Sequence, residues 1–170
     1  MLDQLAKQLG DHDRLALARL LTLAARGEAK DRIEQAIGVG NHRARVVAVT
    51  GSGGVGKSTL IGKLIESARN KSLTVAVLAC DPQSSLTGGA LLGDRIRMPS
   101  RPDDLGVFIR SVATPGGHSG IAPNIDIMRR LLAQFGFSTI LLETVGAGQS
   151  DTAVRDVADV VVVLVQPETG

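Results

Sequence analysis

The sequence predicts an α/β fold with a mostly parallel sheet, helices on both faces of that sheet, and a short helical segment ahead of it. Short runs of Val, Ile, Leu and Ala recur along the chain, which is typical of strands buried on both faces. Segments with helical spacing of apolar residues lie between them. The chain has 170 residues, of which 44% are hydrophobic and 21% are charged. This composition is typical of a globular protein with a substantial core.

The N-terminal residues 1–44 are expected to form a helical segment, and residues 45–170 to form the α/β domain. Leucine and alanine residues recur at helical spacing in this segment, and glycines interrupt the pattern. The apolar positions are Leu2, Leu5, Leu9, Leu17, Leu20, Leu21 and Ala24. We expect these apolar faces to pack on the domain or on a second subunit, and a docking surface for a partner is the alternative.

The strands of the domain are predicted from runs rich in β-branched residues. These runs are Val46–Thr50, Thr74–Ala79, Thr139–Thr144 and Val160–Val165. Helices are predicted over residues 60–70 and 122–135, and an additional edge strand around residues 107–109. Residues 113–123 are rich in Gly and Pro and are predicted to form a surface loop.

Several classes of function are disfavoured by composition. The net charge is +2 and the aromatic residues are limited to three Phe, so nucleic-acid binding is not expected. No apolar run approaches the length of about 18 residues that a membrane span needs, and no signal-peptide pattern is present, which favours a cytoplasmic protein. The lone Cys80 ends an apolar run and is predicted to be a core residue.

The most informative segment is GSGGVGKST at residues 51–59, which directly follows the first predicted strand and leads into a helix. Glycines let the backbone turn tightly and direct N–H groups at a phosphate. Lys57 is expected to reach the β and γ phosphates, and Ser58 to offer its hydroxyl to Mg²⁺. The segment therefore predicts a phosphate-binding loop with a Mg²⁺ nucleotide as ligand. The predicted binding residues are Gly51, Gly53, Gly54, Val55, Gly56, Lys57, Ser58 and Thr59.

Two carboxylates follow later strands of the predicted sheet. Asp81 comes at the end of the second strand, and Glu143 near the end of the run Thr139–Thr144. In a parallel sheet, ligands bind at the carboxyl ends of the strands, so both side chains are expected beside the phosphate-binding loop. Carboxylates there suit a Mg²⁺ site or the positioning of an attacking water. A helix cap or a solvated surface position is the alternative for each.

With these motifs in place, residues 45–170 resemble the MeaB/ArgK family of P-loop GTPases, which act as chaperones of cobalamin-dependent methylmalonyl-CoA mutase. The matching segments are TGSGGVGKST, VAVLACDPQSSLTGGALLGDRIRM at residues 75–98 and LLETVGAGQSDTAV at residues 141–154. The resemblance implies a P-loop fold, GTP or GDP as ligand, and a homodimer when the protein is full length. It also implies a mutase of the acyl-CoA type as partner.

The resemblance further implies roles for individual residues. Lys57, Asp81, Asp94 and Glu143 would form the catalytic group, with Ser58 and the three carboxylates around the metal; Asp94 is added by resemblance alone. Gly146 and Gln149 would belong to the second nucleotide-sensing segment, and Gln149 could instead contact a partner. The chain departs from the family at Leu86, where a basic residue is common, and around His118.

The sequence lacks the Asn-Lys-x-Asp segment with which P-loop GTPases select guanine, and it ends soon after the run Val160–Val165. We therefore expect a domain whose C-terminal strands are missing and whose sheet is uncovered on one side. A GTP-hydrolysing mutase chaperone is the leading interpretation. A hydrolytically inactive fragment that binds a nucleotide or a partner is the second, and an ATPase or kinase that uses the same loop is the third. Ser52 counts against the ATPase branch, in which Lys is common at that position.

Overall fold

The computed structural model describes residues 1–38, 43–82, 104–114, 120–145 and 151–166. Within these residues the centre of the molecule is a parallel sheet of five strands. The strands are β1 (Arg45–Gly51), β2 (Val75–Pro82), β3 (Val107–Thr114), β4 (Thr139–Glu143) and β5 (Val160–Leu164). Their spatial order is β3-β2-β4-β1-β5. The predicted α/β class and the parallel sheet are confirmed, and the additional strand at residues 107–109 is confirmed as the edge strand β3.

Helices flank the sheet and precede it. They are α1 (Leu2–Gly10), α2 (Arg14–Ala25), α3 (Lys30–Ile37), α4 (Lys57–Asn70), α5 (Ile125–Phe135) and α6 (Asp151–Val157). Helix α4 begins at Lys57, inside the phosphate-binding motif and three residues before its predicted start. Helix α5 begins three residues after its predicted start, because Asn124 at its N-cap has a positive φ of 58°. None of the described helices has the length and apolar character that crossing a bilayer requires.

Both faces of the sheet are covered, as the apolar strands predict. On one face, Ala48, Leu78 and Ile140 belong to a large core that includes residues of α1, α2, α3 and α5. On the other face, Val49, Val77 and their neighbours pack with Ile61 and Ile65 of α4. Because side chains alternate along a strand, adjacent residues such as Leu78 and Val77 enter different cores.

The N-terminal helices pack on the sheet domain, which agrees with the expectation that their apolar faces are buried in the protein. Leu9, Leu17 and Leu21 are fully buried in the core that α5 shares. Arg110 of β3 donates hydrogen bonds to the Ala18 carbonyl at 3.1 Å and to Thr22 Oγ1 at 2.9 Å, which ties α2 to the edge of the sheet. The domain boundary at residue 44 stays a prediction.

The predicted surface loop over residues 113–123 is wrong at both of its described ends. Ala113 and Thr114 complete β3. Ile121 and Ala122 are buried, and Gly120 accepts a hydrogen bond from the Val145 amide at 3.0 Å. Gly and Pro residues indicate a break in regular secondary structure, but they do not indicate whether the segment is buried. Ile121 is buried because it packs in the core. Residues 115–119, including His118, lie outside the described residues, as does Leu86.

Strand β5 lies at the other edge of the described sheet and is only partly covered. Val163 is 58% exposed and Val165, just after the strand, is 76% exposed. The expectation of an uncovered side therefore holds for this edge.

Candidate phosphate-binding site

The topology of the sheet brings three strand ends together. Strand β4 lies between β1 and β2, and Glu143 is in register with Val49 of β1 and with Ala79 of β2. Since all strands run in the same direction, the loop after β1, Asp81 near the end of β2 and Glu143 at the end of β4 share one edge. Both carboxylates therefore lie at the predicted edge of the sheet, and their roles in a site stay predictions.

The glycines of the loop after β1 serve different structural purposes. Gly54 and Gly56 have positive φ values of 77° and 101°, which favour glycine. A Cβ added to Gly53, Gly54 or Gly56 would have no atom within 4 Å, so their backbone faces open space. In contrast, a Cβ on Gly51 would lie 2.5 Å from the Leu164 carbonyl oxygen of β5. The first glycine therefore allows close packing of the strands, a purpose that the motif alone did not indicate.

The open space beside these glycines is lined by hydrogen-bond donors. Helix α4 begins at Lys57, and its N-cap Gly56 has no side chain to accept a bond from the first turn. The amide groups there and the positive end of the helix dipole favour an anion. The Lys57 ammonium lies at the same loop and donates to the carbonyl oxygens of Gly51 at 3.0 Å and Ser52 at 3.1 Å. A lysine, free amide groups and a helix N-terminus are together suited to bind a phosphate group.

A hydrogen bond joins the loop to the neighbouring strand. The Ser58 hydroxyl donates to Glu143 Oε1 at 2.8 Å. Glu143 is 4% exposed and Asp81 is 2% exposed, so both carboxylates are buried at this edge of the sheet. A hydroxyl and carboxylate oxygens are the ligands that Mg²⁺ prefers, and the donor set therefore fits that ion. In the part of the chain that the structure describes, no three His, Cys, Asp or Glu side chains form a ready-made metal cluster.

Cys80 directly precedes Asp81 in β2 and belongs to the core, as predicted. It is 4% exposed, and its Sγ accepts a hydrogen bond from the Ala122 amide at 3.3 Å. Burial raises the pKa of the Cys80 thiol to about 11, and the nearby negative charges of Asp81 and Glu143 add to that rise. The neutral thiol packs against the strands and is not a nucleophile at neutral pH.

One residue that fixes the position of the segment after β4 was not predicted from the sequence. Thr144 is 3% exposed, and its amide donates to the Val49 carbonyl of β1 at 3.1 Å. The sequence feature that could have indicated this position is a polar residue close behind the apolar run of β4. Asp94, Gly146 and Gln149, which the resemblance assigned to the site, lie outside the described residues.

A strand that leads through GSGGVGKST into a helix, next to a parallel strand ending in a carboxylate, defines a P-loop nucleoside triphosphatase domain. The chain belongs to a family within that class, described as methylmalonyl Co-A mutase-associated GTPase MeaB, whose model matches residues 17–170. The resemblance seen in the sequence is thereby confirmed.

Individual relatives agree with this assignment. A Pyrococcus abyssi protein that is named provisionally as a GTPase is 45% identical over 171 residues, which cover 100% of this chain and 53% of the relative. A fused isobutyryl-CoA mutase of Nocardia farcinica is 40% identical over 163 residues, covering 93% of this chain and 15% of that protein. A solved structure of a LAO/AO transport system kinase superimposes with a TM-score of 0.69 at 27% identity, covering 96% of this chain and 49% of the other. The chain thus spans about half the length of the Pyrococcus relative and of the solved structure.

Proposed function

We propose that this chain is the nucleotide-binding part of a GTPase that assists the assembly or protection of a cobalamin-dependent acyl-CoA mutase. The observation that carries the GTPase proposal is the hydrogen bond from Ser58 to Glu143 beside an open glycine loop. It joins, at one edge of the sheet, the glycine loop that would hold the phosphates to a hydroxyl and a carboxylate of the kind that Mg²⁺ prefers.

The phosphates would be held by the residues that line the open space. The amide groups of Gly53, Gly54 and Gly56 and the first turn of α4 would donate hydrogen bonds to phosphate oxygens. Lys57, which now donates to two carbonyl oxygens of its own loop, would exchange these partners for the β and γ phosphates. The charge-assisted bonds to phosphate are the stronger ones, so the exchange favours the bound state.

Ser58, Asp81 and Glu143, together with Asp94, would hold Mg²⁺ on the phosphate side of the loop. When bound, this ion neutralises negative charge on the β and γ phosphates. Glu143 would orient the water molecules around it. Ser58 is already directed at Glu143 in this structure, so the two oxygens need little rearrangement to share one ion.

The proposed reaction is hydrolysis of GTP to GDP and inorganic phosphate. A water oxygen bonds to the γ phosphorus, the bond to the β–γ bridging oxygen breaks, and a proton from the water is released. The chain contributes by stabilising the negative charge that spreads over the transferring group, through Lys57 and the loop amides. In this proposal Gly146 senses the γ phosphate, Gln149 lies in the same switch segment, and loss of the phosphate releases residues 147–151.

The mutase partner is supported by the family description and by relatives in which a matching segment is fused to an isobutyryl-CoA mutase. A domain joined covalently to an enzyme in one protein often has that enzyme as a separate partner in another. We propose that the longer protein is a cytoplasmic homodimer and that nucleotide state controls its contact with the mutase, including delivery of adenosylcobalamin.

Two alternatives rest on specific observations. Because the chain spans about half of its relatives and contains no Asn-Lys-x-Asp segment, it could bind a nucleotide or a partner without hydrolysis. The likeness to a LAO/AO transport system kinase favours, more weakly, an ATPase or kinase that uses the same loop.

Calorimetric titration with GDP and, separately, with ADP, each in the presence of Mg²⁺, distinguishes these proposals. Preference for GDP supports the GTPase, preference for ADP supports the third candidate, and weak binding without preference supports the fragment. Phosphate release from GTP then tests hydrolysis directly.

The matched variants are Lys57→Ala and Lys63→Ala. Both remove one lysine from α4, but Lys63 is 72% exposed and pairs with Glu66 on the outer side of the helix. We expect Lys57→Ala to abolish nucleotide binding and Lys63→Ala to leave it unchanged. Equal binding by Lys57→Ala and the original chain would overturn the site assignment.

A further inference from the structure

A second pocket lies at the opposite end of the sheet from the phosphate-binding loop. It has a volume of about 350 Å³ and lies between α5 and the beginnings of β1 and β4. We call it the arginine pocket, and its lining consists of Arg43, Ala44, Val46, Arg129, Arg130, Ala133, Ile140 and Asp159. Strand β1 has 7 residues, so at about 3.3 Å per residue the pocket and the loop lie roughly 20 Å apart.

Of the charged residues that line the arginine pocket, three are positive and one is negative. Arg43, Arg129 and Arg130 contribute three guanidinium groups, and Asp159 is the one carboxylate in the lining. Asp159 is already engaged, because its Oδ2 accepts a hydrogen bond from the Val46 amide at 2.7 Å. This carboxylate therefore fixes the start of β1, and one of its oxygens already accepts a hydrogen bond that does not come from an arginine.

Two of the three guanidinium groups are held in place by neighbouring residues, and both retain free donors. Arg129 is anchored by Asp126 one turn earlier on α5, with Nε donating at 2.7 Å. Arg130 is anchored by the Gly38 carbonyl at 3.0 Å and by Glu34 of α3 at 3.5 Å. Each guanidinium has five N–H groups, so several remain after these bonds. Arg43 is exposed, and no ion pair engages it among the residues that the structure describes.

The apolar part of the lining is small. Val46 and Ile140 are buried, at 3% and 1% exposure, so the half-buried Ala44 and Ala133 are the apolar side chains that a ligand can reach. An ion alone would not contact these two methyl groups, whereas a molecule with an anionic group and a compact organic body would contact them as well as the arginines. The volume lies at the lower end of the range for small-molecule sites, about 300–1,000 Å³.

We propose that the arginine pocket binds a small organic phosphate, with the phosphate group between the three guanidinium groups and the organic body against Ala44 and Ala133. Guanidinium groups match phosphate oxygens in geometry and remain charged at all physiological pH values. The site is separate from the phosphate-binding loop and would operate whether or not the chain hydrolyses GTP.

The test is a titration of the ¹⁵N-labelled chain with glycerol 3-phosphate, inorganic phosphate and sulfate, followed by NMR. The reporters are the Ala44 and Ala133 amides and the Arg129 Nε–H group for the pocket, and the Gly53 and Gly54 amides for the loop. Separate reporters keep failure of this proposal distinct from failure of the nucleotide proposal, because each site is observed by itself.

We expect saturable shifts at the pocket reporters and tighter binding of glycerol 3-phosphate than of either inorganic ion. Arg43→Gln should weaken the phosphate ligand at least about tenfold, since it removes a charge-assisted contact without disturbing an ion pair. The matched control is Arg26→Gln, which removes an exposed arginine whose nearest carboxylate, on Glu28, is 3.7 Å away, and it should have no effect.

Three results would overturn the proposal. The first is the absence of shifts at the pocket reporters with any probe. The second is equal binding of sulfate, phosphate and glycerol 3-phosphate, which would indicate a nonspecific anion surface. The third is unchanged affinity in Arg43→Gln. The comparison of probes uses the unaltered chain, so it decides the matter even if a variant fails to fold.

Discussion

Replacing Gly51 and Gly53 in turn by alanine separates the two purposes of the glycine loop. At Gly51, φ is 143°, and an alanine Cβ would lie 2.5 Å from the Leu164 carbonyl oxygen and 3.2 Å from the Leu164 Cβ. At Gly53, the added Cβ would meet no atom within 4 Å. The same methyl group therefore strains the fold at one position and only occupies the ligand space at the other.

The magnitudes follow from these contacts. An alanine in this region of φ costs about 1–3 kcal/mol. Forcing β5 away from β1 to relieve the overlap adds about 1–3 kcal/mol. We therefore expect Gly51→Ala to lower the free energy of unfolding by at least about 2 kcal/mol. Gly53→Ala should change it by less than about 0.5 kcal/mol, but should weaken binding of GDP because the methyl group enters the space of the phosphates.

Urea denaturation followed by circular dichroism measures the first quantity, and calorimetric titration with GDP and Mg²⁺ measures the second. Equal destabilisation by Gly53→Ala and Gly51→Ala would contradict this expectation. So would a Gly51→Ala chain that unfolds at the same urea concentration as the original chain, since the overlap with Leu164 would then have no energetic cost.

Three further predictions follow from individual contacts. Glu143→Gln should lower the affinity for nucleotide in the presence of Mg²⁺ at least about tenfold, because it removes the charge of the carboxylate that accepts a hydrogen bond from Ser58. Calorimetry measures this affinity, and equal affinity with and without Mg²⁺ in both proteins would contradict the prediction. Asp104→Ala should lower the free energy of unfolding by about 1 kcal/mol, since it removes two hydrogen bonds from Arg69 and one from the Gly106 amide at a site about a quarter exposed. A urea midpoint equal to that of the original chain would count against it. Because burial raises the pKa of Cys80 to about 11, its contribution to stability should be complete below pH 9 and be lost as pH rises through 11, and thiol labelling at pH 8 should be slow unless the chain is unfolded. Rapid labelling of the folded chain would disprove the burial argument.

Much of the fold could be predicted because the strands are parallel and buried. A run such as Val75–Ala79 has no polar alternation, which excludes a half-exposed strand, and the helical segments between runs require crossover connections. From parallel strands alone it follows that Asp81 and Glu143 share an edge with the loop. The helix starts were less predictable, because Lys57 enters α4 from a glycine turn and Asn124 delays α5.

The contacts within the site could not be predicted, because they depend on strand order. The bond from Ser58 to Glu143 exists because β4 lies directly beside β1, and the chain connectivity allows other orders. The closeness of Gly51 to Leu164 depends in the same way on β5 pairing with β1. The arginine pocket combines residues from three distant segments, none of which has a motif of its own.

The position of β1 within the sheet also has a consequence for synthesis on the ribosome. Both neighbours of β1, namely β4 and β5, come from the last part of the described chain, at residues 139–143 and 160–164. Until those residues have left the exit tunnel, the strand that carries the phosphate-binding loop has no neighbouring strand with which to form backbone hydrogen bonds. Long-range pairing of this kind is slow to form. Chaperones that bind emerging polypeptides would therefore be needed most during translation of residues 52–138.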